Sequence, residues 1–158
     1  MIASKSIISV AEKVMRKYKT RDPFKMAKAM GVELVIKELG NLKGFYKVIY
    51  DIPFIFLCSS LGIKEAKIVL AHEIGHHLLH KEFAAFGFEE TSVFSPASRR
   101  EYEANLFAAE LLISDAQIEN AVERGYTAEQ IATSLGVDKD FIALKISAYK
   151  FKKSPLQQ

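Results

Sequence analysis

Cysteine is nearly absent from this 158-residue chain: Cys58 stands alone. Without a second thiol no intrachain disulfide can form, and a reducing compartment is the simpler expectation. Cys58 itself reads as a small buried hydrophobe at a strand end. Long apolar runs are missing too. Ile7, Ile8, Val10 and Ala11 are soon followed by Glu12, Lys13, Arg16 and Lys17, which describes an amphipathic helix rather than a signal sequence, and nothing approaches the roughly 20 apolar residues of a membrane span. The expectation is a cytoplasmic protein with no membrane partner. Charge of one sign is also scarce. The formal net charge is +3 and the basic residues are scattered, so there is no basic stripe of the kind that marks a nucleic-acid footprint. No repeat, low-complexity segment or long linker appears, and the length suits one domain with its own core.

What the chain does have is concentrated. All four histidines fall between His72 and His80, within a segment whose Ile68, Val69, Leu70, Ile74, Leu78 and Leu79 recur at helical spacing. Inside it stands His72-Glu73-Ile74-Gly75-His76, an H-E-x-x-H arrangement. At about 100° per residue, two histidines four positions apart lie roughly 40° from each other and one turn along the axis, so their imidazoles can converge on one ion. Glu73 projects to the flank of the pair, the position of a general base that does not itself ligate. The pentapeptide alone is a weak pattern. The bland reading is a helix with capped or solvated histidines, and the histidine concentration argues against it.

The rest of the chain supplies a frame. Residues 6–18 read as a first helix. A second opens at Asp22-Pro23, an N-cap followed by proline at the first helical position, and stops at Gly31. Residues 32–37, 44–50 and 53–57 have strand composition and predict a small, mostly antiparallel sheet ahead of the histidine helix. Residues 82–94 hold Phe83, Phe86 and Phe88 without a clean period, as core cover or a flap over the site. The next helix is expected from Ser95-Pro96, with Ser98 and Glu101 as an alternative capping box, and it runs to Leu112. Two histidines need a third protein ligand. Glu103, on an otherwise apolar and alanine-rich helix, is the choice, with Glu110 on nearly the same face as its rival, while Glu101 points elsewhere. Ser114 with Gln117 and Thr127 with Gln130 are capping boxes, and Gly136 followed by Asp138 separates the last two helices.

Residues 127–146 have the cadence of a helix-turn-helix. The second of its helices carries Lys139, Lys145 and Lys150 but also Asp138 and Asp140, and no arginine. A helical hairpin completing the core is favoured over direct nucleic-acid contact.

The run Ala71-His72-Glu73-Ile74-Gly75-His76 with Leu79-His80, followed by Glu103-Ala104-Asn105-Leu106-Phe107-Ala108-Ala109-Glu110-Leu111-Leu112, resembles the ImmA/IrrE metallopeptidases. That resemblance implies an α+β, zincin-like domain, with a catalytic core over about residues 1–112 and a helical tail over 113–158. It implies that His72 and His76 ligate zinc, that Glu73 activates water, and that Glu103, the glutamate of the Glu-Ala-Asn run, is the third ligand. It also implies the short kind of family member, an antirepressor of a phage or integrative element that cleaves a helix-turn-helix repressor. One departure is Ile113-Ser114 where the family often has Met-Pro. The competing classes are a regulator that binds a repressor or DNA without cutting it, and a small-molecule metallohydrolase; an intact Glu73 argues against the first. A substrate strand is expected to add to an edge formed by residues 53–57, and Tyr46, Tyr102 and Tyr149 are candidates for stabilising an oxyanion. His77 and His80 are expected to orient other groups or lie at the surface, and Asn105 to hydrogen-bond near the site.

Overall fold

The structure is a computed structural model that describes residues 4–84 and 99–155. The Phe86 and Phe88 part of the aromatic segment, the Ser95-Pro96 helix start and the Ser98 cap lie outside the described residues. The chain begins with α1 (Ser4–Tyr18), whose Ile7, Ile8, Ala11 and Val14 are buried. It continues into α2 (Pro23–Ala29), where the Asp22 carboxylate accepts the Phe24 N–H and Pro23 occupies the first turn, the arrangement expected from the sequence. Three strands follow, β1 (Glu33–Lys37), β2 (Gly44–Ile49) and β3 (Ile52–Cys58). Beyond them come α3 (Ile63–Leu79), the single turn α4 (Lys81–Ala84), α5 (Arg99–Leu112), α6 (Asp115–Glu123), α7 (Ala128–Leu135) and α8 (Lys139–Lys153). No helix among the described residues is long and apolar enough to cross a membrane.

The architecture is α+β, as expected, and the sheet is mixed. Strand order is β1-β3-β2, with β2 antiparallel to β3 and β1 parallel to it. The β2–β3 hairpin closes through Tyr50 and Asp51, both at positive φ (49° and 63°), the left-handed pair that matches strand twist in a two-residue turn. The sheet corrects one expectation. Residues 53–57 form the central strand, not an edge, and Ile55 and Leu57 are buried within it. Pro53 is tolerated there because pairing with β1 starts only at Phe54, so its missing N–H interrupts no ladder on that side. Cys58 is buried at the end of β3.

Helix α3 lies between the sheet and α5, and α5 in turn packs against α1 and α8. The α3–α5 approach is close because both faces are small. A Cβ added to Gly75 would lie 3.1 Å from the Ala104 Cα and 3.2 Å from its carbonyl oxygen, and Ala104, Ala108 and Ala109 are fully buried on α5. Glycine normally costs up to about 1 kcal/mol in a helix, and here the cost is offset by contact between backbones. Gly75→Leu is expected to lower unfolding free energy by about 1–3 kcal/mol through overpacking and to weaken metal retention, since it pushes apart the helices that carry the site. Chemical denaturation and metal content measure both; a leucine variant as stable as the parent would show that the helices part freely.

The tail is joined to this core by charge as well as apolar packing. Phe141, Ile142 and Ala148 of α8 are buried, and so is Lys145, whose Nζ donates to Glu110 Oε1 at 2.8 Å and Asp115 Oδ1 at 2.7 Å. Lys152 completes the cluster with Glu110 Oε2 at 2.9 Å and Asp115 Oδ1 at 2.7 Å. Arg21 Nη1 donates to the Glu110 carbonyl at 2.9 Å, satisfying the C-terminal end of α5. Both expected capping boxes are present, at Ser114/Gln117 and Thr127/Gln130. Gly136 ends α7 at φ 66°.

Candidate metal centre

His72 and His76 occupy successive turns of α3, and their Nε2 atoms lie 3.0 Å apart. The carboxylate that meets them comes from Glu101, in the first turn of α5. Its Oε2 lies 3.1 Å from His72 Nε2 and its Oε1 lies 3.0 Å from His76 Nε2. These three are the one group of His, Cys, Asp or Glu side chains among the described residues whose donor atoms could share an ion. Donors about 2.0–2.1 Å from a tetrahedral ion lie roughly 3.3 Å from each other. The observed triangle is within a few tenths of an ångström of that, and two imidazoles with one carboxylate suit a divalent ion of the zinc kind.

Glu103 is elsewhere, which corrects the sequence-based placement. Its Oε2 accepts from His80 Nε2 at 2.9 Å and its Oε1 from Arg99 Nε at 2.8 Å. Glu110, the rival, pairs with Lys145 and Lys152. The reason lies in helix phase. Glu103, Phe107 and Glu110 share one face of α5 and are almost fully buried, at 3%, 0% and 1% exposure. Glu101 and Asn105, four residues apart, share another that meets the histidines. An acidic residue on an apolar helix looks like a ligand aimed inward, yet a catalytic metal has to face substrate. Glu101 lies at that boundary, where its side chain keeps 21% of its surface exposed. The sequence signal that could have found it is that same i, i+4 pairing of Glu101 with Asn105.

Each histidine is held from behind. Asn105 Oδ1 lies 2.7 Å from His72 Nδ1, so Nδ1 carries the proton it donates and Nε2 is left with its lone pair. The Nδ1 atoms of His76 and His80 lie 3.0 Å apart. His80, the C-cap of α3 with non-helical backbone (φ −134°, ψ 26°), reaches back to the turn before it. The expectations for Asn105 and His80 thus hold in geometry. His77 Nδ1 faces the Tyr46 hydroxyl of β2 at 2.8 Å. Of the three tyrosines, Tyr46 sits against α3 through this bond, Tyr102 is exposed, and Tyr149 donates to Glu119 far down the tail.

Without metal the site is strongly polarised. Burial alone would disfavour a charged His72, but the hydrogen bond to Glu101 and the fields of Glu73 and Glu101 outweigh it and push its pKa up to about 9. Burial would likewise raise Glu101, yet hydrogen bonds from His72 and His76 hold it well below the usual carboxylate range. Such a cluster exchanges its protons for a cation, since an ion replaces them as the positive partner. Burial pushes the Tyr46 hydroxyl up to about 12 and, with Lys81, pushes His77 down; both stay neutral and available to hydrogen-bond. Glu73 is buried on the flank of α3 next to His72, and with His72, Glu101 and Asn105 it lines a groove of about 590 Å³ that extends past Phe45 and Val69.

The family model for the IrrE N-terminal-like domain matches residues 27–147. The chain belongs to the ImmA/IrrE peptidase family. An immunity region protein of Bacillus phage phi105, itself uncharacterized, is 31% identical over 140 residues, 88% of each chain. The metallopeptidase ImmA of Bacillus subtilis (strain 168) is 25% identical over 146 residues, 91% of this chain and 86% of that one. No solved structure matches the chain. The match spans α3, α5 and most of the tail.

Proposed function

We propose that the protein is a zinc-dependent endopeptidase that cleaves a helix-turn-helix transcriptional repressor and so derepresses genes of a phage or mobile element. The observation that carries the chemistry is the convergence of His72, His76 and Glu101 on one point beside Glu73, at the wall of a groove. The relatives named for a phage immunity region and for a metallopeptidase support the biological setting. Zinc, when bound by those three residues, supplies a Lewis acid that brings the pKa of a coordinated water toward about 7 and polarises a carbonyl.

The chain's own residues do the rest. Glu73 takes a proton from the attacking water and passes it to the leaving amine. Asn105 holds His72 through its Nδ1. The substrate is proposed to lie along β2, one of the two edge strands, whose Gly44 and Phe45 line the groove; backbone hydrogen bonds would fix the scissile peptide in an extended form. The test is incubation of the purified, zinc-loaded protein with helix-turn-helix repressors drawn from the same genome. Cleavage at one bond that stops with a chelator and returns with zinc is the expected result. Release of intact repressor from its operator, equal with and without chelator, would replace this reading with a non-catalytic regulator.

A further inference from the structure

Two buried polar residues behind the metal centre have no part in the chemistry described so far. His80 and Glu103 are 5% and 3% exposed, and His76 in front of them is 5% exposed, so water cannot readily substitute for any of their contacts. The order is continuous: His76 Nδ1 to His80 Nδ1 at 3.0 Å, His80 Nε2 to Glu103 Oε2 at 2.9 Å, and Arg99 Nε to Glu103 Oε1 at 2.8 Å.

The chemistry of the groups gives this chain a direction. Between two neutral ring nitrogens 3.0 Å apart, one must carry the proton and the other must accept it. An ionised carboxylate only accepts. If His80 donated from Nδ1 to His76, its Nε2 lone pair would face the Glu103 oxygen, and the His76 proton would sit on Nε2, where the metal belongs. With the opposite order every group is satisfied. His80 donates from Nε2 to Glu103, its Nδ1 then accepts the His76 Nδ1 proton, and His76 presents a bare Nε2 to the site. Arg99 takes the second Glu103 oxygen and favours its ionised form.

We propose that His80 and Glu103 are positioning residues that select the tautomer and ring orientation of His76, so that affinity for the metal depends on a carboxylate two side chains away from it. The proposal rests on the reading of His76 as a zinc ligand. It also makes the two histidines unequal, because His72 leans on the neutral amide of Asn105 and His76 on a chain ending in a charge.

The experiment is competition of metal-free protein with a chromogenic chelator for zinc, with thermal unfolding of each metal-free variant alongside. His80→Leu and Glu103→Ala should each weaken zinc binding about 10–100-fold. The double variant should be no more than a few-fold weaker than either single one, because two links of one chain are lost only once. Singles that bind within a few-fold of the parent overturn the proposal, as does a double variant whose loss is the product of the two. Loss in Glu103→Ala as complete as in His72→Ala also overturns it, by making Glu103 a ligand. Should either variant fail to fold, Glu103→Gln is read in its place. It keeps the shape and an acceptor for the His80 N–H, and is expected to bind about tenfold more weakly, within the range for such outer partners; unchanged affinity overturns the relay. Parent protein that binds no zinc, or Glu101→Ala that binds it normally, fails the underlying site assignment instead, so the two failures are distinguishable.

Discussion

Glu73→Gln is expected to retain zinc at the parent level while peptide-bond cleavage slows by about 10²–10⁴-fold, the usual contribution of a positioned general base. The substitution removes a proton acceptor and little else. Glutamine has the same length and shape, Glu73 is buried beside His72 in the middle of α3, and it is not one of the three side chains whose donor atoms converge. Single-turnover cleavage of the repressor, with zinc measured by elemental analysis on the same preparation, separates the two properties. A Glu73→Gln protein that cuts at the parent rate would move the base to another residue. One that has lost its zinc would mean that Glu73 takes part in holding it.

Glu101→Ala and Glu103→Ala are expected to part company. Glu101 Oε1 and Oε2 each lie within 3.1 Å of a histidine Nε2, so its loss leaves two ligands where a catalytic zinc ordinarily has three from the protein. Zinc should be lost on desalting, and cleavage with it. Glu103→Ala should keep near-stoichiometric zinc at saturating metal and show only the weaker affinity expected of an outer partner. The reverse result, metal lost with Glu103 and kept with Glu101, would mean that α5 turns about its axis when the ion binds and that Glu103 swings in. Metal content of the two folded variants, side by side, decides between the arrangements in one measurement.

The contrast shows where the sequence stops being legible. The H-E-x-x-H spacing constrains its own geometry, because two residues four apart on one helix are neighbours whatever else the chain does. The capping boxes at Ser114 and Thr127 and the Asp22-Pro23 start are equally local, and each appears where expected. The third ligand is not local. Glu101, Glu103 and Glu110 are all acidic residues on one helix, and choosing among them requires knowing which face of α5 meets α3. Gly75 and Ala104 set that face through backbone contact. The same holds for the sheet: β-strand composition located residues 53–57 as a strand, but the parallel pairing with β1 that made it central is a long-range fact.

The sequence by itself determined the local pieces: a histidine pair one turn apart on a helix, a glutamate on its flank, a chain with no possible intrachain disulfide, and a second acidic helix. Only the tertiary structure decided the assignments. It placed Glu101 at the groove and Glu103 behind His76, because helix rotation is set by packing rather than by residue type. It also bound the tail to the core through buried Lys145. Nucleic-acid contact is already the less favoured reading of that helix from sequence, and the carboxylate partners of Lys145, 35 and 30 residues away in the chain, hold it in the core.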